Sequence, residues 1–247
     1  MKALILAAGL GTRLKPWTLN HPKALALVGG KPLLQYTIEY LQQAGIEEVI
    51  VNVHHFADQV IQALEQNRGW GSRYQISDES QLLMDTGGAV MKAAQYGYFS
   101  GESHFMVINA DILTDMPLKA FIRQCMASGQ LATLAVSDRN SSRRLLFDSQ
   151  TGLLGGWENT ESGAVRITRE MEKPLPMAFS GIHCMNTGMI DLLAGMAPFN
   201  RKEPFSIIDA YLMLSKNNPI GYFDHSGARF MDTGTPERLA AAAALFA

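Results

Sequence analysis

Hydrophobic and polar positions along the first half of the chain switch repeatedly between two periods. Leu4 to Ala8 is a short apolar run ending on a glycine loop, and Val49 to Val53 is a β-branched run; both predict strands. Between them Leu34, Ile38 and Leu41 recur at helical spacing and predict a helix over 33–44. The alternation continues with a helix over 58–66 behind Phe56, another over 88–94, and an apolar strand over 105–108 that runs into Asn109, Ala110 and Asp111. Strands that are apolar throughout and separated by helices predict a mostly parallel sheet covered on both faces. Ligands of such a sheet gather at the carboxyl ends of its strands.

The texture changes after Asp115. Strands are predicted over 131–137 and 141–147, the glycine-rich stretch 152–163 has turn character, and antiparallel additions to the sheet are expected here. A helix over 205–214, short strands over 220–224 and 228–231, and a last helix opened by Thr235 with Pro236 at its first position complete the pattern. Neither an internal repeat nor a low-complexity linker interrupts it. The expected fold class is α/β, one domain over 1–247 with a mixed, mostly parallel central sheet flanked by helices. Its first half reaches to about residue 115 and its second runs from about 116.

Composition narrows the function. With 247 residues, 47% hydrophobic and 18% charged, the chain can bury a sizeable core. Twenty-one Lys and Arg against 23 Asp and Glu give a net charge of −2, so no basic excess points to nucleic acid and no acidic excess to disorder. Any phosphate binding must be local. Cys125 and Cys184 are too few for a disulfide framework or a metal-type cluster and fit a reducing compartment. Met1 to Ala8 mimics a secretory signal, but it ends in Gly9 to Arg13 without a small-residue cleavage site, so a buried strand and a cytoplasmic location are expected. No apolar stretch approaches the roughly 20 residues that span a bilayer, and 239–247 reads as a docking helix, so no membrane partner is expected.

Six short segments carry candidate chemistry. In Gly9-Leu10-Gly11-Thr12-Arg13 two glycines let backbone N–H groups close on phosphate oxygens, and Arg13 adds a planar charged clamp. The Walker pattern is absent. The dinucleotide fingerprint fails too, for Leu14 stands where it wants a small residue and His54-His55 where it wants an acid. Pro22-Lys23 places an ammonium in the following loop, and Asp85-Thr86-Gly87-Gly88 opens a helix. Asp111 and Asp232 both stand at strand ends, and two convergent carboxylates suit a hard divalent ion such as Mg²⁺ that also takes phosphate oxygens. Glu172-Lys173-Pro174 is the sixth. Each has a bland reading as a tight turn, a helix cap or a solvated charge.

Taken in order, these segments resemble the sugar-phosphate nucleotidyltransferases, also called sugar nucleotide pyrophosphorylases. The resemblance is carried by Leu6-Ala7-Ala8-Gly9-Leu10-Gly11-Thr12-Arg13 with Pro16, by Pro22-Lys23-Ala24-Leu25, Thr86-Gly87-Gly88-Ala89 and Asn109-Ala110-Asp111. It continues through Glu172-Lys173-Pro174, Phe179-Ser180-Gly181-Ile182 and Met231-Asp232-Thr233-Gly234-Thr235-Pro236, and so covers nearly the whole chain. Ala24 departs from the family, which usually has a second proline there. The resemblance implies a Rossmann-like nucleotidyltransferase fold and the reaction of a nucleoside triphosphate with a sugar 1-phosphate to give a nucleotide sugar and pyrophosphate. The first half would bind the nucleotide and the second the sugar phosphate. Length and Phe179 to Ile182 are most similar to the short bacterial N-acetylmuramate 1-phosphate uridylyltransferases and their guanylyltransferase relatives, which favours UTP. The chain stops soon after the Asp232 motif, so no appended acyltransferase helix or oligomerisation tail is expected, and no motif speaks to oligomeric state.

On this reading Arg13, Lys23 and Asp111 are catalytic, and Asp111 and Asp232 hold Mg²⁺. Leu6, Ala8, Gly9, Gly11, Thr12, Arg13, Lys23, Glu79, Thr86, Gly87, Gly88 and Asn109 bind the nucleotide; Glu158, Lys173 and Gly181 bind the sugar phosphate. The sugar phosphate's own ionised oxygen is the nucleophile, so no general base is needed, consistent with the lack of a nucleophile motif. His54, His55, His183, Cys184, Arg143, Arg144 and Trp157 are expected to be structural. The rival readings are a dinucleotide oxidoreductase, a nucleotidyltransferase with a non-sugar acceptor such as phosphocholine, and an inactive nucleotide-sugar sensor.

Overall fold

The computed structural model describes residues 1–197, 199–200 and 203–246. Strand β1 (Lys2–Leu6) is followed by a short β2–β3 ribbon (Leu27–Val28 and Lys31–Pro32), α1 (Leu33–Gln43), β4 (Glu48–Val53), α2 (Ala57–Gln66), β5 (Arg73–Asp78), α3 (Asp85–Gln95) and β6 (His104–Asn109). Here β1 pairs in parallel with both β4 and β6, and β4 with β5, which gives the spatial order β5-β4-β1-β6. Because the chain steps outward through β4 and β5 and then returns to the other side of β1, a crevice opens between the carboxyl ends of β1 and β6.

The core shows why these strands read as continuous apolar runs. Successive side chains point to opposite faces. Ala3, Ile5, Val49, Val51, Met106 and Ile108 pack with Leu34, Ile38 and Leu41 of α1 and Val60 and Leu64 of α2. Leu4, Ile50, Phe105 and Val107 pack with Val90 and Ala93 of α3 and with Tyr211 and Leu214. Both faces are covered, so the central strands are mostly apolar, with buried Asn52 on β4 an exception.

The second half comprises β7 (Ile112–Thr114), α4 (Leu118–Ser128), β8 (Ala132–Ser137), β9 (Arg143–Asp148), β10 (Leu154–Asn159), β11 (Ala164–Ile167), β12 (Pro174–Asn186), α5 (Gly188–Ala194), α6 (Ile207–Leu214), β13 (Ile220–Asp224), β14 (Phe230–Asp232) and α7 (Pro236–Phe246). The antiparallel additions are present: β12 pairs with β6, β8 and β9, and β9–β10–β11 forms a meander. Strand β13 joins β8 in parallel, completing a mixed ten-stranded sheet flanked by helices. The stretch 152–163 contains a strand, β10, rather than only turns. A Cβ on Gly156 would stand 2.6 Å from the Arg166 carbonyl oxygen and one on Gly155 2.5 Å from Met171 Sδ, so these glycines admit a closely crossing chain. Among the described residues no helix is long and apolar enough to cross a membrane.

Candidate active site

The β1–β6 crevice holds a cavity of about 430 Å³, of the size that accepts a small-molecule ligand. The ends of the two strands form its floor: Ala110 N–H donates to the Leu6 carbonyl (3.1 Å) and Ala7 N–H to the Asn52 carbonyl (3.2 Å). Leu6, Ala8, Gly9, Lys23, Glu79, Thr86, Asn109 and Asp111, all expected from the sequence, line the cavity.

The glycine loop leaves β1 through Gly11, whose φ is +60°. Thr18 Oγ1 donates to the Gly11 carbonyl at 2.9 Å, and a Cβ on Gly11 would stand 2.8 Å from Thr18 Cγ2 and 3.0 Å from Lys23 Cβ. Only glycine fits both the backbone and the space. Thr12 and Arg13 then form a 3-10 turn beside the cavity, and the Arg13 side chain is exposed.

The two aspartates, remote in sequence, meet through β-pairing. Strand β14 runs antiparallel to β7 with Asp232 opposite Ile112, and Thr233 donates from its amide (3.0 Å) and hydroxyl (2.9 Å) to the Asp111 carbonyl. Asp111 forms an ion pair with Lys23. Asp232 lies 4.0 Å from Arg13 Nη2 and 3.6 Å from Arg238 Nη1 and accepts from the Gly234 amide at 2.8 Å. Each carboxylate therefore has a cation beside it.

Glu79 is fully buried. Its Oε2 accepts from the Met84 amide at 2.9 Å, whereas Oε1 and the neighbouring Asn52 Nδ2 have no hydrogen-bond partner among the described residues. Burial pushes the Glu79 carboxyl above its usual pKa. Asn52, missed at the sequence level, lines the same cavity. The available signal was a lone amide inside the apolar run of β4.

Gly87 and Gly88 are not at the cavity surface. Their amides donate to the Phe205 carbonyl at 2.9 and 3.4 Å, and a Cβ on Gly87 would enter the Phe205 ring. Their glycine identity serves helix packing, while Asp85, Thr86 and Ala89 line the cavity. Gly87→Val is expected to destabilise the fold by roughly 1–3 kcal/mol through overpacking, read as a lowered urea midpoint with an unchanged slope; an unchanged midpoint would show that Phe205 yields freely.

On the other side of the crevice Gly181, at φ +70°, abuts Asn109: a Cβ there would stand 2.7 Å from Asn109 Nδ2. Glu158 on β10 pairs with Arg144 on β9 at 2.7 Å, near the end of the meander that points toward Gly181. Lys173, expected to meet the sugar phosphate, is not among the residues that line the cavity. It is exposed at the start of β12, eight residues before Gly181, where its carbonyl accepts from the Ser149 amide at 3.0 Å.

The residues expected to be structural have structural partners. His54 Nδ1 lies 2.7 Å from the Glu79 carbonyl and His55 Nε2 3.3 Å from that of Thr18. His183 is buried 2.5 Å from the Tyr211 hydroxyl, and burial pushes its pKa down to about 3. Trp157 packs against the core.

Comparison with known proteins places this geometry. The profile of the nucleotidyl transferase family matches residues 2–247. An N-acetylmuramate alpha-1-phosphate uridylyltransferase of Caulobacter vibrioides is 32% identical over 188 residues, which cover 73% of this chain and 73% of that protein. A mannose-1-phosphate guanyltransferase of Aspergillus oryzae is 29% identical over 242 residues, covering 96% of this chain; the chain spans 62% of that longer protein. Among solved structures, HddC from Yersinia pseudotuberculosis complexed with GMP-PN superposes with a TM-score of 0.76 at 23% identity, over 100% of this chain and 99% of that one, a likeness of fold.

Proposed function

Because the chain belongs to the nucleotidyl transferase family, we propose that it transfers a nucleotidyl group from a nucleoside triphosphate to a sugar 1-phosphate and releases pyrophosphate. The observation that carries this reading is the Lys23–Asp111 pair in the cavity lining, with the Arg13–Asp232 pair tied to it outside the lining through Thr233 and the Asp111 carbonyl. A phosphate oxygen of the acceptor attacks the α-phosphorus in line, and the P–O bond to pyrophosphate breaks. The nucleophile is ionised near neutral pH, so the protein's task is positioning and charge neutralisation. Lys23, held by Asp111 in this structure, neutralises the triphosphate; Arg13 and the loop hold the leaving pyrophosphate; Asn109, Thr86 and Glu79 place the nucleotide.

The donor set fits Mg²⁺. Among the described residues no group of three or more His, Cys, Asp and Glu side chains could hold a metal ion, but two carboxylates on neighbouring backbone segments would supply part of a hard-oxygen shell that phosphate oxygens can complete. When bound, the ion would offset the charge developing on the transferring phosphoryl group. Asp111 and Asp232 would hold it.

UTP is the proposed donor and N-acetylmuramate 1-phosphate the proposed acceptor. The support is the Caulobacter uridylyltransferase, which matches at higher identity and with more even coverage than the fungal guanyltransferases. GTP is the alternative. A grid of four nucleoside triphosphates against a panel of sugar 1-phosphates, read by pyrophosphate release, tests both. A preference for GTP of more than about tenfold in kcat/KM, roughly 1.4 kcal/mol, replaces the uridylyl reading and keeps the class. No release with any pair favours the sensor.

A further inference from the structure

One charged side chain beside the acceptor wall belongs to none of the motifs. Arg139 lies two residues beyond β8 and is half-buried. Its Nη1 donates to Ser137 Oγ, the Ala178 carbonyl and Ser180 Oγ, each at 3.0 Å, and its Nη2 to the Phe179 carbonyl at 2.5 Å. The guanidinium stands 4.4 Å from the centroid of the Phe230 ring. All its hydrogen-bond acceptors are neutral oxygens, so the charge is not there to close an ion pair.

The backbone explains what the fork does. Strand β12 pairs with β8 at Ala178↔Ser137 and Phe179↔Val136, then resumes only at His183↔Leu134. Between these points β12 advances four residues while β8 advances two, so β12 bulges, and Gly181 with its positive φ sits in the bulge against Asn109. A bulge disrupts the ladder and leaves backbone groups without strand partners. Arg139 binds the carbonyls of Ala178 and Phe179, the last residues paired with β8 before the bulge, and the Ser180 hydroxyl within it, which also meets buried His225 Nε2 at 2.7 Å. The face of the same guanidinium rests on Phe230, the first residue of the strand that ends in Asp232.

We propose that Arg139 is a positioning residue that clamps the β12 bulge carrying Gly181 to the β14 strand carrying Asp232, and so sets the acceptor-side wall against Asn109. A planar fork with five donors and a stacking face can do both at once. An ammonium can form the hydrogen bonds but lacks the fork and the stack, so Lys is a poor replacement.

The test compares the wild-type chain with Arg139→Met and Arg139→Lys by amide hydrogen exchange and by kinetics, and uses Arg139→Ala for chemical rescue. In both variants, exchange over 178–182 and 230–234 is expected to rise at least on the order of tenfold while β1 and β4 keep their protection. The acceptor KM is expected to rise about tenfold, with the nucleotide Kd from calorimetry within about threefold. Guanidinium chloride, well below denaturing concentration, is expected to lower the acceptor KM of Arg139→Ala. Unchanged exchange in the two segments, or equal weakening of both substrates, overturns the clamp. Should Arg139→Met not fold, Phe230→Leu removes the stacked ring and is expected to loosen 230–234; normal protection there overturns the link to Asp232. The kinetic arm rests on the proposed nucleotidyl transfer. Wild-type chain that releases no pyrophosphate sinks that reading, while the exchange arm still judges Arg139.

Discussion

Asp111→Asn and Asp232→Asn are each expected to lose at least on the order of 10²-fold in turnover, as when preorganised electrostatic stabilisation of a transition state is removed. The substitutions are nearly isosteric, and neither aspartate belongs to the apolar core, so both variants should keep wild-type circular dichroism. Asp111→Asn does a second thing: it removes the negative charge that pairs with Lys23. Its nucleotide affinity is therefore expected to change as well, whereas Asp232→Asn keeps an oxygen to accept from the Gly234 amide. Activity should vanish with a chelator and return with Mg²⁺. Near-normal turnover in either folded variant would falsify the paired-carboxylate assignment.

Lys23→Ala is expected to raise the nucleotide Kd at least about tenfold and to lower turnover further, for it strips the cavity of a cation and leaves Asp111 without its counter-charge. Lys173→Ala is the contrast. The Glu-Lys-Pro string suggests a sugar-phosphate contact, but the side chain is exposed at the far end of β12, so both substrates should bind within about threefold of wild type, a difference under 1 kcal/mol. Calorimetry with the nucleotide and steady-state kinetics with the acceptor decide it. A selective rise in acceptor KM for Lys173→Ala would restore the original assignment and require the start of β12 to reach the cavity.

The first half of the fold was legible because its signals are local. Strands β1, β4 and β6 are buried on both faces, so they read as apolar runs with Asn52 the one amide between the valines of β4, and α1 and α2 carry one apolar stripe each. The edge strand β5 is largely exposed and gave no such run. Strand β12 opens with Pro174 and Pro176, residues that argue against a strand, and was seen only as the Phe179 to Ile182 motif. Helix α4 and the strand hidden in the glycine-rich stretch were likewise missed.

The sequence alone determined which residues could do the chemistry: a glycine needed where φ is positive, a lysine after a proline, and aspartates at strand ends, each readable within a few residues of chain. Tertiary structure decided which of them meet. Asp111 and Asp232 came to neighbouring positions because β14 pairs with β7, and Lys173 stands exposed just before the long strand β12. Gly87 and Gly88, expected to help place the nucleotide, pack against Phe205 and Met84, and Arg139 acquired a role only because the β12 bulge begins beside it. Backbone preference and hydrophobic period act over one or two turns, whereas strand order and register bring distant residues within a few ångströms, and no local pattern encodes that distance.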